Sequence, residues 1–163
     1  MRLDSEKRLA QSIGVDLKID NLEIEDYLLN YVVGGSGQPL LLIHGGNIGW
    51  GQWYPNISVF SRYFTTYAID LPGAGRSRGI DYARLDPERD FVHTVEKFLE
   101  KKGIKECHIV GSSLGGWIAL RLVLRGRSQI RKRVLADSLG FMDYTRISDR
   151  LIGIYPLAKI LAR

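Results

Sequence analysis

The chemistry-bearing residues of this 163-residue chain gather at two glycine-rich points. One is Gly111-Ser112-Ser113-Leu114-Gly115, which has the G-x-S-x-G spacing of a turn that presents a nucleophilic serine. Such a turn is sharp, so the residues two before and two after the nucleophile must be tiny for strand and helix to approach. Gly111 and Gly115 flank Ser113 in this way, whereas Ser112 has Val110 and Leu114 at those positions. The register therefore selects Ser113, and the alternative is a packing turn of small residues. The other point is Ile43-His44-Gly45-Gly46-Asn47. A glycine-rich turn there can offer a backbone N–H to a developing oxyanion, with Gly46 and Leu114 as the donor pair. His44 itself reads as a structural histidine bonding nearby backbone. His44, Gly45, Asn47 and Trp50 are the residues expected on the substrate side.

The elements that must position these points follow from patterning. Leu17 to Ile24 alternates as a strand with a turn expected at Asp20-Asn21, and Tyr27 to Val33 is a second strand. Leu40 to Ile43 is continuously apolar, as in a strand buried on both faces. Phe64 to Ile69 is another strand, closed by Asp70-Leu71-Pro72-Gly73. Asp86-Pro87 opens a helix whose apolar residues Phe91, Val92, Val95, Phe98 and Leu99 share one face, and Gly103 stops it. His108-Ile109-Val110 leads into Gly111, Leu114 to Leu124 is helical, and Val134 to Ala136 is a last strand ending at Asp137. Residues 1–13 read as a short polar helix or a loose arm. The strand–helix alternation predicts a three-layer α/β/α sandwich on a mostly parallel sheet. Residues 1–137 form the core, and 138–163 form the start of a helical cap.

Composition bounds the function. Hydrophobic residues make up 45% and charged residues 25%, a profile that excludes intrinsic disorder. Cys107 is the single cysteine, so no internal disulfide forms, and a reducing, cytoplasmic setting is expected. The N-terminal residues lack the apolar core of a secretion signal, and no apolar run is long enough for a membrane span. The net charge is +5, with Arg121, Arg125, Arg127, Arg131, Lys132 and Arg133 forming a basic cluster. No aromatic residue interleaves with it, so it reads as a solvated face rather than a nucleic-acid surface. Trp50, Trp53 and Tyr54 either line a pocket or pack the first helix.

With Asp70-Leu71-Pro72-Gly73-Ala74-Gly75-Arg76-Ser77, the two glycine-rich points resemble the α/β-hydrolase family. The resemblance runs from about Leu17 to Asp137 and is nearest the esterase, lactonase and carbon–carbon hydrolase branches. Serine at 113 separates the chain from branches that carry aspartate there, and Asp70 reads as a turn-former. The resemblance implies a serine hydrolase acting on a small carbonyl substrate without metal or organic cofactor. It also implies a Ser…Asp/Glu…His order, with Asp137 a candidate acid.

One expectation of the resemblance is unmet: no histidine follows Ser113. The resemblance implies eight strands, and the patterning accounts for about six. The chain therefore reads as an N-terminal portion cut inside the cap, inactive alone. The rival readings are an inert split-gene fragment that needs a partner chain, and acyl transfer or cofactor-free haloperoxidase chemistry on the same serine. Without neighbouring strands, Val134 to Ala136 becomes an open edge through which the chain pairs with itself or a partner.

Overall fold

A computed structural model describes residues 2–46, 48–126 and 130–139. Six strands form one sheet in the order β1-β2-β4-β3-β5-β6. They are β1 (Leu17–Ile24), β2 (Tyr27–Gly34), β3 (Gln38–Ile43), β4 (Phe64–Ile69), β5 (Cys107–Ser112) and β6 (Ile130–Ala136). β3 pairs in parallel with β4 and β5, and β5 in parallel with β6, while β2 runs antiparallel to β1 and β4. The helices are α1 (Arg2–Ser12), α2 (Tyr54–Phe60), α3 (Thr94–Lys101) and α4 (Leu114–Leu124).

β3 shows why the sheet is sandwiched. Its side chains alternate between two cores: Leu41 and Ile43 join one cluster, Leu40 and Leu42 the other. The first cluster is closed by Phe91, Val95 and Phe98 and by Ile118 and Leu122 of α4. The second is closed by Ala10 and Ile13, by Trp50 and Trp53, and by Ile57 of α2. Each fully buried aliphatic side chain contributes about 1.5–3 kcal/mol. The N-terminal segment is thus a packed helix, and Trp50 and Trp53 are core residues.

Two strand expectations need correction. β1 has no turn at Asp20-Asn21, because it pairs with β2 without interruption from Leu17↔Gly34 to Ile24↔Tyr27. What changes there is the phase of the apolar residues. Leu17 and Ile19 pack on the second cluster, Leu22 and Ile24 on the first, so one strand feeds both faces in succession. The last strand begins at Ile130 rather than Val134. Its Arg131, Lys132 and Arg133 are exposed, and Lys132 and Arg133 pair with His108 and Ile109 of β5, which hid the strand behind a run of charge. The helix opening at Asp86 does form. Asp86 Oδ1 accepts from the Glu88 and Arg89 N–H groups, but Glu88–His93 is wound as a π-helix before α3 begins. Of the expected cap, residues 140–163 lie outside the described residues.

Candidate active site

β5 ends in the turn that carries Ser113, whose backbone adopts φ 50° and ψ −111°. An L-residue occupies that region only when the surroundings over-determine it, at a cost of roughly 1–3 kcal/mol. Here three backbone bonds hold it. Ser113 N–H donates to Ala136 O at 2.9 Å, and Ser113 O accepts from Trp117 N–H and Leu139 N–H, both at 3.1 Å. The flanking glycines are required by contact. A β-carbon on Gly111 would strike the Gly115 carbonyl oxygen, and one on Gly115 would strike that of Ile43. Ser113 is half-buried at the head of α4. The helix ladder starts at Trp117 N–H, so the N–H of Leu114 precedes it and has no intrahelical acceptor.

The loop after β3 lies directly on this turn. A methyl group built on Gly45 would sit 2.9 Å from Ser113 Cβ. Gly46, at φ 48°, faces open space on its β-carbon side. His44 is fully buried, and its Nε2 accepts from Leu71 N–H at 2.9 Å. That acceptor role leaves the ring proton on Nδ1, which donates to Gly45 O at 3.2 Å. Burial holds the imidazole below its ordinary pKa of 6.5, against opposing help from the Gly45 carbonyl and Asp70. A trans peptide points its C=O and N–H in opposite directions. Fixing Gly45 O on His44 therefore fixes the direction of the Gly46 N–H.

Asp70 anchors the neighbouring turn. It is 1% exposed and accepts from Trp50 N–H at 2.6 Å, Asn30 Nδ2 at 2.8 Å and Arg76 N–H at 2.9 Å. Ser77 Oγ donates to Asp70 O at 2.7 Å and accepts from Asn30 N–H at 2.9 Å. Glu6 of α1 reaches the same cluster, accepting from Asn30 Nδ2, from Trp50 Nε1 and from the Arg76 guanidinium. Patterning missed Glu6, because a carboxylate in a polar helix carries no mark of a buried partner 44 residues away. It also missed Gln52, whose amide joins Gly45 to Ser112.

Of the expected substrate-side residues, Gly45 stands against Ser113. His44 and Trp50 are buried beneath the loop with backbone or carboxylate partners, and Asn47 lies outside the described residues. Asp137 is exposed after β6 at φ 52°. The other two histidines serve elsewhere: His93 Nε2 meets Glu25, and His108 Nε2 meets Gln38. Much of the basic cluster is engaged too. Arg121 and Arg125 pair with Glu88, and Arg131 makes two 2.7 Å contacts with Glu106. Among the described residues, no three His, Cys, Asp or Glu side chains converge to hold a metal ion. No helix among them is long and apolar enough to cross a membrane.

The family model for the alpha/beta hydrolase fold matches residues 38–157. The chain belongs to the α/β-hydrolase family. Among this family's members it is 32% identical over 96 residues to carboxylesterase YbfK of Bacillus subtilis (59% of this chain, 32% of that protein). It is 30% identical over 124 residues to the 2-hydroxy-6-oxo-6-phenylhexa-2,4-dienoate hydrolase of Comamonas testosteroni (72% of this chain, 42% of that protein). The crystal structure of a bacterial membrane phospholipase A superposes with a TM-score of 0.77 at 26% identity, covering 86% of this chain and 45% of that one. This α/β-hydrolase chain thus spans about a third to a half of the length of the proteins it matches.

Proposed function

We propose that the chain carries the nucleophile half of a serine hydrolase acting on a carboxylic ester or a related carbonyl compound. Ser113 Oγ attacks the carbonyl carbon while its proton passes to a histidine supplied from outside this sequence. The oxyanion is held by the N–H groups of Gly46 and Leu114. Collapse expels the alcohol with that proton and leaves an acyl-serine, which water then cleaves to regenerate Ser113. Asp137 is the candidate to orient the histidine. His44 and Trp50 serve by holding the loop backbone, and Gly45 lines the approach to the serine. The observation that carries this reading is the contact of the Gly45 loop with the strained Ser113 turn at the head of a helix.

A fluorophosphonate probe labels a serine only when a base activates it. The isolated chain should label weakly. Supplying, in cis or in trans, the part of a relative that this chain does not cover should bring labelling up at Ser113. Strong labelling of the isolated chain that survives Ser113→Ala would sink the assignment.

The β6 edge supports a second part of the proposal. Among the described residues β6 pairs only with β5, and Val134 is 57% exposed on it. An unpaired edge is a template for another strand, so the isolated chain self-associates there. Sedimentation at micromolar concentration should show a species larger than the monomer, reverting with Val134→Lys. A stable monomer that unfolds cooperatively overturns it.

A further inference from the structure

We propose that Gln52 is a positioning residue that braces the oxyanion loop against the serine turn, an inference that rests on the hydrolase reading above. Its side-chain amide is used at both ends. Oε1 accepts from Gly45 N–H at 2.8 Å, and Nε2 donates to Ser112 Oγ at 2.9 Å. One side chain therefore ties the residue before Gly46 to the residue before Ser113. The two N–H donors proposed for the oxyanion sit just beyond these tied residues, at Gly46 and Leu114.

The brace has a rigid base. Gln52 lies in the 3-10 turn Trp50–Trp53, between two buried indoles, and its own N–H bonds to Gly49 O at 3.1 Å. Trp50 N–H is fixed on Asp70. The loop it holds has little stiffness of its own, since Gly45-Gly46 is the most permissive backbone pair available. His44 fixes the peptide on one side of Gly45 through its carbonyl, and Gln52 fixes the peptide on the other side through its N–H. With both peptide planes set, the Gly46 N–H keeps one direction relative to Ser113. Released at Gln52, the peptide before Gly45 loses its anchor while the carbonyl anchor on His44 remains. Catalytic donors must be aimed before reaction, and a misplacement of about 1 Å can cost on the order of a hundredfold in rate.

The test uses three variants. Gln52→Met keeps the volume and removes both bonds, Gln52→Glu keeps an acceptor for Gly45 and lets the Ser112 hydroxyl donate, and Ser112→Ala cuts only the far end. Amide hydrogen exchange on the chain itself should show the Gly45 amide about tenfold or more faster in Gln52→Met. The Leu42 amide, inside β3, should be unchanged, and Gln52→Glu should retain protection. Ser112→Ala should fall between. Unchanged exchange at Gly45, or equal acceleration at Gly45 and Leu42, overturns the brace. In the second arm, the chain supplied with the part of a relative that it does not cover is labelled with a fluorophosphonate. Gln52→Met should lower the maximal labelling rate about tenfold or more while leaving the half-saturating probe concentration within about twofold. If wild type labels and Gln52→Met labels equally fast, the brace inference fails alone. If wild type does not label, the hydrolase reading fails, and the exchange at Gly45 still decides whether Gln52 holds the loop.

Discussion

Two sides border Ser113, and they are built in opposite ways. On one side, the carboxyl ends of β3 and β4 are wired through buried polar groups. The Asp70 carboxylate receives three hydrogen bonds, His44 sits fully enclosed between Leu71 and Gly45, and Glu6 arrives from the far end of the chain. On the other side, β6 leaves the turn with five of its seven residues exposed and its charges in solvent. The chain over-determines the loop where we propose that a developing negative charge is held. The β6 side, from which we propose that the proton acceptor arrives, is built mostly of exposed residues.

The largest test of this contrast is Asp70→Ala. The change leaves the N–H groups of Trp50 and Arg76 without their acceptor and the Asn30 amide with Glu6 alone, and buried polar groups stripped of partners are costly. We expect a loss of about 3–5 kcal/mol in urea unfolding. A loss under about 1 kcal/mol would mean the wired side is no stiffer than the open one.

His44 gives the next effect, and its sign is fixed. Burial lowers its folded-state pKa below 6.5, so the unfolded chain takes up a proton first as the pH falls. Its stabilisation is complete above about pH 6.5 and is lost as the pH drops through the folded-state value. Protonation at Nε2 also strips Leu71 N–H of its acceptor, a loss of about 1–3 kcal/mol. Urea midpoints between pH 8 and pH 5 should decline, and His44→Gln should flatten that decline. A variant profile parallel to wild type would remove His44 from the account.

The smallest effect is at the serine. Ser113→Gly should unfold at higher urea than Ser113→Ala by about 1 kcal/mol, because glycine relieves the positive φ and alanine does not. Equal midpoints would show that the turn is unstrained.

What the amino-acid sequence disclosed divides between local signals and distant partners. β3, α4 and the serine turn carry periodicity or fixed glycine spacing, which are local signals that a reading along the chain detects. The mostly parallel sheet followed from their alternation. On the wired side His44 and Asp70 read as structural residues, but the wiring itself was not legible, because Asp70, Glu6 and Gln52 are polar residues whose partners lie far off in sequence; Gln52 and Ser112 are 60 residues apart. The change of phase inside β1 imitated a turn, since alternation on one face cannot describe a strand that serves two cores. β6 was shortened by its own charges, which a sheet edge tolerates and a helix–strand connection also favours.

The bond from Leu139 N–H to Ser113 O has a consequence of another kind. The backbone leaving β6 is fastened to the very residue proposed as nucleophile. Whatever follows Leu139 in the same polypeptide begins its path beside Ser113, and covalent linkage sets an effective concentration that a separate molecule lacks. A catalytic group covalently continued from this point needs little intrinsic affinity to dwell beside the serine. The same group on a separate molecule would have to bind tightly enough to match that concentration.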